Sequence, residues 1–276
     1  MLRFLAGLVG LGFVSALFIA FVMPREKVEP TAPSIYHLEP KEVKFSFDGP
    51  FGRYDREQLQ RGFQVYKEVC SACHSMKLVA FRDLEDLGFT KPEVKAIAKN
   101  WKGNEVPSIN PDTGEATTRK AIPSDYFPSP YANETAARSA NNNALPPDMS
   151  LLAKAREGGA HYIYSVVTGY QPQPADLLKR FPDAKTPAGL HYNPYYANLN
   201  IAMPPPLVAD GQVTYSDGKK ASVDQMAQDA AAFLMWAAEP KLENRHRWGI
   251  VVLIYLLIAT GLAYGAYRNI WRDQKH

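Results

Sequence analysis

Two cysteines and a histidine stand close together near the end of the first quarter of this 276-residue sequence. Cys70 and Cys73 are three residues apart and His74 follows directly, which gives the pattern C-x-x-C-H. Two thiols at this spacing can be alkylated by the two vinyl groups of one haem, and the adjacent imidazole is then held against the iron. The pattern therefore predicts a single, covalently attached haem c with His74 as an axial ligand.

Three other interpretations of the C-x-x-C-H pattern compete with haem attachment. A zinc site needs four protein ligands, and the sequence has no third cysteine. A thioredoxin-like dithiol is expected near a βαβ pattern, which the flanking sequence lacks, and a chance match is the third alternative. Because both cysteines lie in the pattern, no structural disulfide is available. Thioether attachment as a rule takes place outside the cytoplasm, so we expect a periplasmic or equivalent compartment.

An iron held on one face by His74 needs a second axial ligand or leaves an open site. An open site indicates gas binding or catalysis, whereas a methionine raises the potential toward that of electron carriers. Met203 is the preferred candidate because it precedes three consecutive prolines, 204–206, which hold the backbone extended and preset the approach of the thioether. Met149, which also follows a Pro-Pro pair, is the second candidate.

The element that must position the cysteines is a helix that begins near Asp55. Asp55-x-x-Gln58 resembles a capping box, and apolar residues at three- and four-residue spacing put Leu59, Phe63 and Tyr66 on one face. Gly62 lies where another helix could cross closely. The other predicted elements are short helical pieces over 82–100, an ordered loop wrapped over the haem at 101–143, a helix opened by Asp148 and ended by Gly158, a helix over 160–168, an irregular segment at 170–206, a small hairpin at 213–215 and a helix from Ser222 to Glu239.

Two uncharged runs at the chain ends are long enough to cross a bilayer. The first covers Phe4 to Met23, and twenty helical residues span roughly 30 Å. Because no Ala-x-Ala cleavage site follows this run, we favour a retained anchor over a cleaved signal peptide. The second, from Gly249 to Tyr267, predicts a transmembrane helix, and its Gly261-x-x-x-Gly265 pattern would let another membrane helix approach closely.

The charge distribution argues against a nucleic-acid partner. The whole chain has a formal charge of +3, but residues 4–244 carry 25 Lys and Arg against 27 Asp and Glu, which is a formal charge of −2. The basic excess therefore lies at the membrane flanks. Haem propionates would make the central part more negative still, which suits a positively charged protein partner and not nucleic acid.

Several stretches carry a resemblance to a known family: 61–76 around the haem motif, Ser124 to Pro128, Ala137 to Ser150, Gly158-Gly159 with Thr168-Gly169-Tyr170, Ile201 to Pro206 and Phe233 to Pro240. Over roughly residues 45–270 the chain resembles the cytochrome c1 family, the haem c subunits of cytochrome bc1 complexes. The resemblance implies a mainly α fold, namely a class I cytochrome c-like haem domain with long irregular loop insertions and transmembrane helix anchors. It also implies attachment of haem at Cys70 and Cys73, axial ligation by His74 and Met203, a haem surround that includes Asn141, Pro147, Arg156 and Tyr162, and pairing of Arg156 with a propionate.

The chain is divided accordingly into four parts. Residues 1–23 form an N-terminal transmembrane helix or signal-anchor, 24–50 an extended linker, 51–244 a periplasmic cytochrome c domain, and 245–276 a C-terminal transmembrane anchor with a short cytoplasmic tail. This arrangement implies a protein of the inner membrane. Relatives in bacteria generally carry a cleavable signal peptide, so a retained first helix would be a departure from the family pattern.

The function that the resemblance implies is a one-electron relay within a quinol:cytochrome c oxidoreductase. The chain would take electrons from the Rieske iron-sulfur protein and pass them to a c-type cytochrome, without an independent catalytic site. Cytochrome b, the Rieske subunit and the lipid bilayer would be its partners, in a dimeric complex. Two rival functions are a free-standing membrane-anchored cytochrome c that feeds an oxidase and a haem-based gas sensor with an open sixth site.

Overall fold

The computed structural model describes residues 2–23, 29–103 and 105–274. Pro24 and the four residues after it, with which the expected linker begins, lie outside the described residues. The helices of the described part are α1 (Leu2–Val22), α2 (Ala32–Tyr36), α3 (Arg56–Glu68), α4 (Lys91–Lys99), α5 (Glu134–Ala140), α6 (Gly159–Val167), α7 (Ala175–Arg180), α8 (Val223–Ala238) and α9 (Leu242–Trp271). Its strands are β1 (Glu105–Ile109), β2 (Ala116–Lys120), β3 (His191–Tyr192) and β4 (Asn200–Ile201), paired β1–β2 and β3–β4, both antiparallel. The mainly α fold predicted from the sequence is confirmed.

The crossing of α3 and α8 is the centre of the fold. Asp55 caps α3 by accepting a hydrogen bond from the Gln58 amide at 3.1 Å, and Ser222 caps α8 in the same way, as the sequence predicted. Gly62 lies at the crossing, where a Cβ atom would be only 2.0 Å from the Asp229 carbonyl oxygen. The prediction of a close crossing at Gly62 is therefore confirmed.

Aromatic side chains fill the space around this crossing. Phe63 and Tyr66 on α3 are buried, as predicted, and pack against Phe233 of α8 with ring centroids 5.7 and 5.6 Å apart. Trp101 stacks on Phe127 at 4.9 Å and closes the far side of the cluster. Burial of such large side chains contributes most of the stabilisation of a core of this kind.

A buried ion pair lies beside the Gly62 contact and has no counterpart in the sequence predictions. Arg61 is 6 % exposed, and its Nε donates to the fully buried Asp229 carboxylate at 3.0 Å. Its Nη1 donates to Asp217 at 2.8 Å, and its guanidinium lies 5.9 Å from the Tyr215 ring centroid. Arg61 thus joins α3, α8 and the loop before α8 through one planar cation.

Two segments expected to be irregular contain regular elements. The segment 101–143 holds the β1–β2 hairpin and α5, and the segment 170–206 holds α7 and the short β3–β4 ladder. The hairpin was missed because its strands are largely exposed and show no alternation of apolar and polar residues. A fork from Arg119 of β2 to the Asp125 carboxylate, at 2.6 and 2.8 Å, joins the hairpin to the turn that follows it.

Two other predicted elements are wrong. No helix begins at Asp148, because residues 150–158 form successive turns. No hairpin forms at 213–215 either, because the Thr214 carbonyl accepts from the Gln64 side chain of α3 at 2.8 Å and not from a partner strand. In both places the hydrogen-bonding groups bind residues that are distant in sequence, and not the neighbours that a local helix or hairpin would provide.

The described part of the expected linker packs on α6 and the core of the protein. The Lys41 amide donates to the Ser165 hydroxyl at 2.8 Å, and the Val43 amide donates to Nδ1 of His161 at 3.3 Å, so this extended segment runs along α6. Phe45 and Phe47 are buried and their rings stack at 4.9 Å. The chain is therefore attached to the core well before residue 51.

Two helices, α1 and α9, are long and apolar enough to cross a membrane, and neither apolar stretch is buried against the rest of the protein. Three residues, 239–241, separate α8 from α9. Glu239 accepts from Arg245 of α9 and pairs with Lys154 at 3.2 Å. Desolvation raises the pKa of the Glu239 carboxyl, but these two cations outweigh it and hold the pKa below its usual value.

Candidate haem-binding site

The C-x-x-C-H residues lie directly after α3, in a single 3-10 turn over Cys70–Ala72. The Cys73 and His74 amides both donate to the Cys70 carbonyl, at 3.1 and 2.9 Å, which folds the two thiols and the imidazole into one compact turn. Neither thiol is in a disulfide. Burial, followed by the neighbouring Cys73, raises the pKa of the Cys70 thiol to about 12, so this sulfur is protonated at neutral pH.

The His74 imidazole is buried and has a fixed orientation. Its Nδ1 is 2.8 Å from the Pro147 carbonyl oxygen. A carbonyl can only accept, so Nδ1 carries the hydrogen and Nε2 keeps a free lone pair. Burial lowers the pKa of His74 despite the opposing hydrogen bond to Pro147, which keeps the ring neutral at pH 7. A neutral imidazole whose second nitrogen is held by a carbonyl is the usual arrangement of a metal-binding histidine.

A clasp of hydrogen bonds holds the Pro147 loop beside the haem motif. Asp148 accepts from the Ser75 hydroxyl at 2.8 Å, from the Lys77 amide at 2.9 Å and from the Ser150 amide at 2.9 Å. Desolvation raises the pKa of Asp148, but these donors outweigh it and hold the pKa below its usual value. Asp148 therefore stays ionised and fixes the carbonyl that orients His74.

The two candidate methionines lie in different surroundings. Met149 is 8 % exposed and belongs to the hydrophobic core, with its amide donating to the Ser75 carbonyl at 2.8 Å. Met203 follows β4 and is half-buried, and its carbonyl accepts from the Tyr170 hydroxyl at 3.0 Å. Burial raises the pKa of Tyr170, so its hydroxyl is a donor at any physiological pH.

The other expected haem neighbours come from three separate elements. Asn141 ends α5 and its amide donates to the Tyr131 hydroxyl at 3.0 Å. Arg156 is exposed and donates to the Ala155 carbonyl at 3.1 Å. Tyr162 is half-buried on α6; burial raises its pKa, while nearby Arg156 acts in the opposite direction. Of the expected site residues, His74 and Pro147 are joined by a hydrogen bond, and Arg156 and Tyr162 are close enough to interact.

These donors suit a covalently attached haem. The site offers two unbonded thiols at the attachment spacing, a neutral imidazole with one free nitrogen, and a thioether on a proline-braced loop. Two contributors, Asp148 and Tyr170, were not assigned to the site from the sequence. Their only sequence signal was their place in the stretches Pro-Pro-Asp-Met-Ser and Thr-Gly-Tyr, which do not show which backbone atom each side chain binds.

Comparison with known proteins gives one family. A family model described as the cytochrome C1 family matches residues 45–274. The chain is 46% identical to "Cytochrome c1" of Rhodospirillum rubrum over 246 residues, which is 84% of this chain and 87% of that protein. It is 39% identical to "Cytochrome b-c1 complex catalytic subunit, mitochondrial" of Candida albicans over 274 residues, 99% of this chain and 91% of that protein. It is 43% identical to "Cytochrome b/c1" of Bradyrhizobium diazoefficiens over 250 residues, 85% of this chain but 36% of that longer protein.

Proposed function

The chain belongs to the cytochrome c1 family, and we propose that it is the haem-carrying, electron-transferring subunit of a cytochrome bc1 complex. In this role it takes electrons from the Rieske iron-sulfur subunit and passes them to a c-type cytochrome. The observation that carries the proposal is the buried, neutral His74, fixed through Nδ1 by Pro147 in the same turn as two free thiols. Cytochrome b is the further partner, and the relative named for both b and c1 supports that pairing.

In this proposal Cys70 and Cys73 hold one haem c and His74 binds its iron. When bound, the haem supplies a one-electron iron couple. The protein's part is to set the ligand field and to limit access of water. Asp148 and Pro147 keep the imidazole in one tautomer, so His74 presents Nε2 without any change in protonation.

Met203 is the second residue that would bind the haem iron. Its backbone is braced on one side by three prolines and on the other by the hydrogen bond from Tyr170 to its carbonyl. This bracing reduces the entropy that a flexible thioether would lose on binding iron. A methionine ligand raises the potential, which suits delivery of electrons to a soluble c-type cytochrome.

Asn141, Pro147, Arg156 and Tyr162 form the proposed haem surround. Arg156 uses one donor on the neighbouring Ala155 carbonyl, and its planar guanidinium has further donors for a carboxylate such as a haem propionate. Tyr162 of α6 is half-buried and close enough to Arg156 to interact with it. These residues do no acid-base chemistry; they position the haem and reduce its exposure.

We place the haem domain, residues 51–244, on the periplasmic side of the inner membrane. The C-terminal segment 245–276 contains most of α9 and would end in a short cytoplasmic tail, and residues 1–23 would form a second anchor through α1. The intervening residues 24–50 would connect the first anchor to the domain. The basis for the orientation is the chemistry of thioether attachment, which takes place outside the cytoplasm.

Exchange of Met203 tests the electron-carrier proposal. In the full-length holoprotein, Met203→Leu is expected to lower the haem potential and to allow carbon monoxide to bind the reduced protein, because the raised potential and the closed sixth site both come from the thioether. Met149→Leu is the matched control, since it changes a core methionine by a similar volume. If Met203→Leu changes neither the potential nor carbon monoxide binding, Met203 is not the ligand.

Purification tests the assignment to a complex. Gentle detergent extraction is expected to yield the chain together with a b-type haem protein and an iron-sulfur protein. Isolation of the chain with an oxidase, and without the b-type haem protein and the iron-sulfur protein, would instead support the free-standing cytochrome. Carbon monoxide binding by the unmodified protein would support the gas-sensor alternative.

A further inference from the structure

A cavity of about 510 Å³ lies where the haem domain meets the first turns of α9. One wall is the loop from Pro50 to Arg53, and the other is formed by α9 side chains between Glu243 and Ile250. It lies outside the residues proposed to hold the haem. None of the electron-transfer roles proposed above uses it.

The two walls of this cavity are fixed to each other. The Tyr54 amide donates to the Glu243 carboxylate at 2.8 Å, and Nδ1 of His246 lies 3.3 Å from the Gly52 carbonyl. Gly52 is itself tightly packed, since a Cβ atom there would be 2.2 Å from the Phe47 backbone. The cavity is therefore a built feature of the junction, with its shape set by hydrogen bonds between the loop backbone and the α9 side chains.

The cavity has a positive charge excess. Its one acidic lining residue, Glu243, is already satisfied by Arg56 at 3.2 Å and by the Tyr54 amide. Arg53 and Arg247 line it from opposite walls, are both exposed, and form no ion pair with any residue in the described ranges. Two guanidinium groups around one cavity favour a phosphate, which each can bind through two parallel hydrogen bonds.

The position of the cavity along α9 indicates what carries that phosphate. Arg247 is two residues before Gly249, where the uncharged run begins, so it lies about 3 Å above the start of that run along the helix. Phe51 lines the cavity and is 78 % exposed, and Trp248, which follows Arg247 on α9, is 62 % exposed. Aromatic residues at this depth are typical of the boundary between lipid headgroups and hydrocarbon.

We propose that this cavity binds the phosphate of an anionic phospholipid in the outer leaflet, between Arg53 and Arg247. Phe51 and Trp248 contact the upper part of the acyl chains, and the pinned loop sets the height of the haem domain above the lipid. This inference rests on the membrane anchoring in the proposed function but not on haem ligation. A failure here therefore leaves the electron-carrier role intact.

The test is lipid binding to the full-length holoprotein in detergent, measured by native mass spectrometry. Phosphatidylglycerol and phosphatidylcholine with identical acyl chains are titrated separately, and inorganic phosphate is titrated as a third probe. The variant is Arg53→Gln combined with Arg247→Gln. The matched control is Arg82→Gln, which removes an exposed arginine of the haem domain away from the cavity.

We expect preferential binding of phosphatidylglycerol, a loss of affinity of about 5-fold for each arginine removed, and no loss in the control. Circular dichroism and the haem spectrum should be unchanged in every variant, which separates loss of binding from loss of folding. Equal binding of the two lipids, or a preference that the double variant retains, would overturn the proposal. Binding of inorganic phosphate as tight as that of the lipid would assign the cavity to a free anion. Loss of cytochrome b co-purification in the double variant, without any lipid preference, would assign it to a protein contact.

Discussion

Adding one methyl group at Gly62 is expected to push apart the two helices on which the haem motif depends. A Cβ atom at this position would lie 2.0 Å from the Asp229 carbonyl oxygen and 2.7 Å from Cβ of Phe233. Ordinary contact begins near 3.4 Å, so the backbone of α8 has to move away by about 1.4 Å. The clash is with backbone, which cannot rotate out of the way as a flexible side chain can.

The expected cost follows from two opposing effects. Overpacking of a well-packed core costs about 1–3 kcal/mol, and sometimes more, whereas alanine in a helix interior gains about 1 kcal/mol over glycine. Because the obstructing atom is a carbonyl oxygen on a long buried helix, we place the overpacking term at or above the upper end of its range. Gly62→Ala is therefore expected to lower the free energy of unfolding by about 2–3 kcal/mol.

Urea unfolding in detergent, followed by tryptophan fluorescence, measures this change. Trp101 and Trp236 are buried in the haem domain and report on its core. With a slope of about 2 kcal/mol per molar urea, the midpoint should fall by about 1–1.5 M. Gly261→Ala in α9 is the control, since nothing lies within 4 Å of its added methyl group. A Gly62→Ala protein as stable as the parent would refute the close crossing.

Three other perturbations have defined outcomes. Arg61→Ala leaves the buried Asp229 carboxylate without its cation and should cost about 3–5 kcal/mol in urea unfolding. Arg119→Ala breaks an exposed ion pair and should lower the urea midpoint far less. Equal shifts of the midpoint would contradict this account of burial. Tyr170→Phe removes the hydrogen bond to the Met203 carbonyl, worth about 0.5–1.5 kcal/mol, and should increase carbon monoxide binding and lower the potential without changing the folded helix content. Because the pKa of Glu239 is lower in the folded state than its usual value of 4.5, its stabilisation is complete above that pH and is lost as the pH falls through the folded pKa. Thermal unfolding between pH 6 and pH 3 should therefore show a shallower acid loss in Glu239→Gln than in the parent.

The helices that support the site were predictable because their signals are local. The side chains of Asp55 and Ser222 mark the starts of their helices, since each accepts a hydrogen bond from the amide three residues later. The apolar face of α3 follows from the spacing of its own apolar residues. Gly62 was identifiable as a crossing point because a glycine on an amphipathic helix has no side chain and lets a second helix pack closely. The fold around the haem motif was thus encoded mainly within short windows of sequence.

The failures occurred where a residue's partner is distant in the chain. Asp148 looked like a helix cap, but its carboxylate is shared with Ser75 and the Lys77 amide, more than seventy residues away. Arg61 was given no structural role from the sequence, yet it is buried against Asp229 of α8. The role of Tyr170 depends on reaching a backbone carbonyl 33 residues later. No local pattern encodes which of many distant groups such a side chain meets.

The short connection between α8 and α9 limits how the haem domain can move. Three residues reach at most about 10 Å, and Glu239 in that connection is bound to Arg245 beyond it. The helix α8 is also packed on α3, which leads into the haem motif. The haem motif, the core and α9 are therefore joined without a flexible segment between them. This connection offers the domain no flexible hinge. In the proposed electron-transfer role, the distance between redox partners would therefore be covered by movement of the partners and not of this domain.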